Sequence, residues 1–208
     1  MKELKSFIAI VALAFTVFFA GYSQSHAEVA EYIIDPDHSQ VTFKVKHLAI
    51  STVTGRFDLL EGSYSIDLED LENIANSSVN MSIVASSINT NKKKRDDHLK
   101  SAEFLDVEKY PNITFKSKEI KNGDGNKFQI VGDLTIHGIT KEVTLDAVYE
   151  GHVASDPWGF ERTAFIASGI INRKDFGMTW NKALEAGGFL VGDEVRITLE
   201  VEGIRKTS

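Results

Sequence analysis

The chain has 208 residues, 42% of them hydrophobic, a formal net charge of −7 and no cysteine. The acidic balance argues against a general nucleic-acid binder. The missing cysteine removes disulfides, thiol chemistry and a lipid anchor on an N-terminal cysteine, so a hydrophobic core must hold the fold.

Taken in order, the chain opens on a leader. Lys2 and Lys5 precede the apolar run 7–20, and Ser25 and Ala27 supply small residues after it. This is the pattern of a cleaved secretory signal peptide over residues 1–27, and the run is shorter than the ~20 residues a membrane span needs. Residues 28–208 then form one exported domain with no permanent membrane span. Asp35, Asp37 and His38 read as a turn before the first strand. Residues 39–47 alternate, with Val41, Phe43, Val45 and His47 on one face and Thr42, Lys44 and Lys46 on the other, the pattern of a half-buried strand. Gly55 permits a turn or bulge. Residues 56–66 read as a second strand that Gly62 can break, 67–75 as an acidic connection, and 79–88 as a third strand carrying Met81 and Ile83.

Residues 91–111 read as a helix. Thr90 or Asn91 can cap it, and Asp96 and Asp97 suit a first turn. Leu99, Ala102 and Leu105, with Phe104, form an apolar side, and Tyr110-Pro111 ends the segment. The basic run 92–95 stands at the end of a helix that favours anions. Two readings follow. Arg95 and His98, three residues apart, form a polar gate for an anionic or carbonyl headgroup. Alternatively the run is a solvated face paired with Asp96 and Asp97, which the residues alone favour.

Strands resume at 112–120, 127–136, 141–153, 162–172 and 193–203. Between them, Asn122-Gly123-Asp124-Gly125, Gly138 and Asp156-Pro157-Trp158-Gly159 supply turns. A longer loop, 175–192, holds Trp180 and Gly187-Gly188. A series of about eight strands with one helix suggests an up-and-down antiparallel barrel or a sandwich. An eight-stranded barrel is either filled by side chains or holds one small ligand. The small residues Ala164, Ala167, Ser168 and Gly169 fit a hollow or a close strand crossing equally well.

No nucleophile elbow, zinc-protease motif, phosphate loop or dinucleotide fingerprint is present. His38, His47, His98, His137 and His152 fall one per element, without metal-ligand spacing, and His137 and His152 sit beside turns where exposure is expected. No catalytic residue, metal or cofactor is expected.

The segment Arg95-Asp96-Asp97-His98-Leu99-Lys100-Ser101-Ala102-Glu103-Phe104-Leu105-Asp106, followed by Lys109-Tyr110-Pro111 and Phe115, resembles the central signature of the YceI-like family. His38 through Gly55-Arg56-Phe57, with His47-Leu48, is similar to the family's opening. Gly132-Asp133-Leu134-Thr135 with Gly138-Ile139-Thr140-Lys141 is similar to its central hairpin. Asp156-Pro157-Trp158-Gly159 and Asn172-Arg173-Lys174-Asp175-Phe176-Gly177 are similar to its late segments. The resemblance runs from residue 32 to 203 and is weakest over 178–192, which would border a cavity mouth.

The resemblance implies a lipocalin-like, eight-stranded antiparallel β-barrel with a short helical insertion, exported to the bacterial periplasm. It also implies lipid carriage or a stress-response role without catalysis. The ligand would be a long isoprenoid, polyprenyl or quinone-like, and a homodimer is compatible with it. Burying such a chain is favourable by about 25 cal/mol per Å² of apolar surface. The wall would come from Phe43, Val45, Phe57, Met81 and Ile83, together with Phe104, Phe115, Ile130 and Leu134. The few polar groups such a pocket needs would be His47, Arg95, His98 and Arg162. Any one wall residue is equally a core filler; the expectation concerns the set. Two other readings remain: a filled barrel without stable ligand, and an enzyme acting on isoprenoid lipids with His47, Arg95 and His98 as acid–base groups.

Overall fold

Alternating apolar residues run through nearly every segment between the turns, and such strands bury one face by curling that face inward. A computed structural model describes residues 29–67, 74–185 and 187–207. The expected signal peptide lies outside the described residues. The strands are β1 (Ala30–Ile34), β2 (Gln40–His47), β3 (Ser51–Phe57), β4 (Leu60–Ile66), β5 (Ser78–Val84), β6 (Ile88–Asn89), β7 (Asn112–Asn122), β8 (Lys127–Ile136), β9 (Ile139–Val153), β10 (Arg162–Asn172) and β11 (Val191–Arg205). The helix α1 (Lys93–Lys100) lies between β6 and β7.

Every neighbour pairs antiparallel, and β11 closes the ring by pairing β10 on one side and both β1 and β2 on the other. β1 and β2, β3 and β4, and β5 and β6 each act as one bent strand, so the eleven segments make a closed eight-stranded barrel in chain order. Closure leaves no long open edge. One end carries the β2–β3 and β8–β9 turns, α1 with the segment after it, and the 173–190 connection. The other carries the 122–127 turn, the 153–162 connection and the outer ends of β1 and β11.

The differences from expectation are local and have local causes. β1 is an additional strand: Ala30, Tyr32 and Ile34 point inward, and the outward Ile33 obscures the alternation. The second strand breaks at Asp58-Leu59, where Asp58 accepts from Arg56 and Asn89 and the Leu59 amide donates to Ser87 Oγ, and not at Gly62. Gly55 is neither turn nor bulge. It lies within β3 under the Phe43 ring, and a Cβ there would come within 2.3 Å of the ring.

The helix ends at Lys100, well short of residue 111. Ser101 is extended (ψ 170°) and its hydroxyl donates to the His98 carbonyl. Tight turns follow, with Asp106 at φ 47° and its carbonyl accepting from the Lys109 and Tyr110 amides, and they leave Phe104 and Leu105 both buried. Lys92 holds the N-cap position without a side-chain cap; Thr90 instead donates to the Asp96 carboxylate through both its amide and its hydroxyl.

The end away from the helix is plugged. Tyr32 stacks on Tyr64 at 5.3 Å, Phe165 meets Tyr64 edge-on at 5.1 Å, and the Tyr64 hydroxyl donates to the Thr163 carbonyl. Burial pushes the hydroxyls of both tyrosines well above their ordinary pKa. Ile130, 1% exposed, completes this plug. Gly169 leaves room for the Leu145 side chain on the neighbouring strand, because a Cβ there would lie 2.7 Å from it.

Candidate functional site

Above the plug the inward side chains do not meet. Two lobes remain, an upper one of about 130 Å³ near the helix end and a deeper one of about 70 Å³. They share the walls Phe57, Ile113, Ile136, Ile171 and Ile197. Met81, Ile83, Phe115 and Leu134 bound the deep lobe; Phe43, Val45 and Phe104 bound the upper one. The parity of β2, β5, β7 and β8 turns these residues to one interior. Ile130 alone of the expected wall lies elsewhere, in the plug.

The upper lobe is roofed by a seam between two segments that are far apart in the chain. Leu99, Phe104 and Leu105 come from the helical insertion, and Met178 from the 173–190 connection. The seam closes where the His98 ring meets Phe104 at 5.0 Å and Trp180 at 4.8 Å, with Phe104 and Trp180 5.3 Å apart. His98 Nε2 also lies 2.6 Å from a Glu103 carboxylate oxygen. Its ring is thus packed against both segments of the roof.

The other expected polar groups are placed differently. Arg95 is exposed and folds back, its Nε donating to Thr90 Oγ1 at 2.7 Å and its Nη2 to the Thr90 carbonyl at 2.8 Å; it lines neither lobe. The nearby Lys93–Asp97 pair, 2.8 Å apart, is largely solvated, and such pairs add little stability. Arg162 lies on the outer wall, on the opposite parity from the inward Thr163 and Phe165. It donates to Asp35 at 2.8 Å, Asp156 at 2.5 Å and Glu202 at 2.5 Å. Burial pushes the Asp35 carboxyl up, but hydrogen bonds from His38 and Arg162 outweigh it and hold the group below the usual range. Asp35, His38 and Glu202 converge within 4.8 Å, yet the Arg162 guanidinium already bonds both carboxylates, so this cluster is an ion network and not a cation cage. His47 ends β2 half-buried, with no side-chain hydrogen bond among the described residues.

One buried polar residue was not anticipated. Arg173, 3% exposed, borders the upper lobe and straps the roof: it donates to the carbonyls of Met178, Trp180 and Gly192 and to Asp193. Its signal was its place in Asn172-Arg173-Lys174-Asp175-Phe176-Gly177. His137, expected in solvent, is half-buried, with Nδ1 3.2 Å from the Phe176 carbonyl and its ring on Tyr110. His152 is exposed, 3.3 Å from Glu161. Among the described residues, no helix is long and apolar enough to cross a membrane.

Residues 32–203 match the model of the YceI-like domain. A UPF0312 protein of Enterobacter sp. (strain 638) is 39% identical over 210 residues, covering 100% of both chains. Among solved structures, Burkholderia cenocepacia BcnA superposes with a TM-score of 0.70 at 24% identity, over 81% of this chain and 98% of its own. A structure described as a polyisoprenoid binding domain from Saccharophagus degradans superposes with a TM-score of 0.62 at 15% identity, over 86% of this chain and 100% of its own.

Proposed function

The chain belongs to the YceI-like family, and on that premise we propose that it is an exported binding protein, without turnover, that holds the chain of a long isoprenoid lipid inside its barrel. The observation that carries this reading is the pair of apolar lobes with a common wall, roofed by a seam of side chains and sealed at the far end by an aromatic plug. The polyisoprenoid binding described for the Saccharophagus degradans neighbour, which shares the fold, supports the class of ligand. The leader pattern of residues 1–27 supports export to the periplasm.

The lobes are smaller than the ~300–1,000 Å³ of pockets that take drug-sized ligands. A long polyprenyl or quinone-like chain therefore enters by parting the shared wall and the seam at Trp180. Its headgroup stays near the mouth, where His47, which ends β2, makes no side-chain hydrogen bond among the described residues.

The test is mass spectrometry of the protein purified from a bacterial periplasm without detergent. Native conditions give bound mass and oligomeric state together, and an organic extract identifies the cargo. A stoichiometric isoprenoid is the expected result. A clean apo mass that persists after incubation with quinones and polyprenyl phosphates would instead make the barrel a filled, structural one.

A further inference from the structure

The outer wall beside the mouth carries an arrangement that a sheet normally avoids. Lys44 on β2 and Arg196 on β11 are direct cross-strand partners, and like charges directly opposite destabilise a strand pair. Lys46 extends the same outward row. None of these three has an ion pair among the described residues. They line, with Ile170 and Glu194, an outer groove of about 240 Å³. Val45 borders both this groove and the upper lobe, and the β2–β11 ladder is interrupted there, between Val191 and Val195. The cationic strip therefore lies on the outer side of a wall residue of the upper lobe.

Apolar side chains project from the same end. Ile50, 83% exposed, tips the β2–β3 turn, where Leu48 and Ala49 hold left-handed φ of 54° and 60°. The Leu48 amide donates to the Leu190 carbonyl, which places this tip beside Phe189, 57% exposed, and the Lys174 ammonium lies 5.7 Å from the Phe189 ring. An apolar tip rimmed by lysines suits a headgroup layer: the apolar groups enter the interface and the cations meet lipid phosphates. The plugged end also exposes large side chains, Trp158 and Phe160, but they stand beside Asp156, Glu161 and the carboxylates around Arg162.

We propose that the mouth end is a docking surface for an anionic phospholipid bilayer, with Ile50 and Phe189 entering the interface and Lys44, Lys46 and Arg196 engaging its phosphates. This rests on the carrier reading for its purpose, since a lipid carrier must present its mouth to a membrane, but not for its measurement.

The experiment is flotation of the purified protein with vesicles of phosphatidylethanolamine and phosphatidylglycerol, and with vesicles of phosphatidylcholine alone, at low and high salt. The parent is expected to float with the anionic vesicles only, and less at high salt. Lys44→Glu is the decisive variant. It converts the repelling Lys44–Arg196 pair into an attracting one, so the fold is kept at least as stable, while two units of surface charge are lost. At about a fivefold effect per charge near an anionic surface, binding falls roughly thirtyfold. Ile50→Ser with Phe189→Ser weakens binding that survives high salt, and Trp158→Ser leaves flotation unchanged. A parent that ignores anionic vesicles, or Lys44→Glu floating like the parent, overturns the proposal. Loss on Trp158→Ser in place of the mouth variants overturns it too. A protein that floats but holds no isoprenoid retains this surface and loses the carrier reading.

Discussion

Ile136 and Ile130 lie on one strand and one face, both buried, at 6% and 1% exposure, and enlarging each to phenylalanine separates an open barrel from a filled one. Ile136 borders both lobes, of about 130 and 70 Å³, whereas Ile130 borders a void of only about 20 Å³ within the plug. At ~24 cal/mol per Å³ of cavity, the upper lobe represents about 3 kcal/mol of packing left unmade, and the void at the plug about 0.5 kcal/mol. Overpacking a closed site costs about 1–3 kcal/mol. Ile130→Phe should therefore lose about 1–3 kcal/mol. Ile136→Phe should stay within about 1 kcal/mol of the parent, because its ring enters space that is already there. The assay is urea unfolding of delipidated protein at a common slope, paired with the mass of retained lipid. The lipid should be lost from Ile136→Phe and kept by Ile130→Phe. Equal destabilisation of the two variants would refute the reasoning, since it would mean that the interior above the plug is as tightly packed as the plug itself.

Removing the roof strap has a different signature. Arg173→Met leaves the Met178, Trp180 and Gly192 carbonyls without their donor. It should cost about 1–3 kcal/mol for each carbonyl left buried and unpaired, with hydrogen exchange across 178–192 accelerating more than elsewhere; uniform acceleration would argue against a strap. Gly55→Ala should push the Phe43 ring into the upper lobe, since the new Cβ meets the ring at 2.3 Å. Because a ring end can swing, the cost should lie near 1 kcal/mol, the low end of overpacking, with lipid capacity reduced in an extraction assay. Acid should act through the outer-wall network. Burial raises the Asp35 and Asp156 carboxyls, but hydrogen bonds from His38 and Arg162 at Asp35, and from the Phe160 amide and Arg162 at Asp156, hold both net below their ordinary values. A carboxyl depressed in the fold stabilises above its unfolded value and stops doing so as pH falls through the folded one. The melting difference between the parent and Arg162→Met should hold from neutrality down to about pH 4 and shrink below it; a difference that grew on acidification would contradict the network.

The architecture was legible because the strands from 112 onward alternate strictly and are punctuated by Asn-Gly, Gly and Pro signals, so β8 and β10 match their expected bounds. It was less legible where strands bend. Bends at 35–39, 58–59 and 85–87 come from side-chain hydrogen bonds such as Ser39 to Glu202 and Leu59 to Ser87, between residues far apart in sequence. The apolar wall was readable for the same reason as the strands, since parity assigns Phe43, Phe57, Phe115 and Leu134 to the inside. Ile130 has the same parity, and only the height of the aromatic plug separates it from the cavity. The polar residues were the least legible. An arginine's sequence position does not say whether its reach is spent on Thr90, on three carboxylates or on three carbonyls.

The commitments of these polar side chains limit what the barrel can select. Arg95 is committed to Thr90, His98 to Glu103 and two aromatic rings, Arg162 to its carboxylates and Arg173 to the roof. A headgroup that recruited any of them would leave their present partners unpaired, at about 1–3 kcal/mol for each buried group. On the carrier reading, discrimination therefore falls to the hydrocarbon: the length and branching that fit between Phe57, Ile113 and Ile197 once the seam parts. His47 can add a single hydrogen bond at the mouth, enough to orient a ring or phosphate but too little to exclude a ligand whose chain fits. Lipids that share an isoprenoid tail and differ at the head should compete for the barrel within about tenfold of one another, the scale of one net hydrogen bond. Straight acyl chains of similar length should compete far less well.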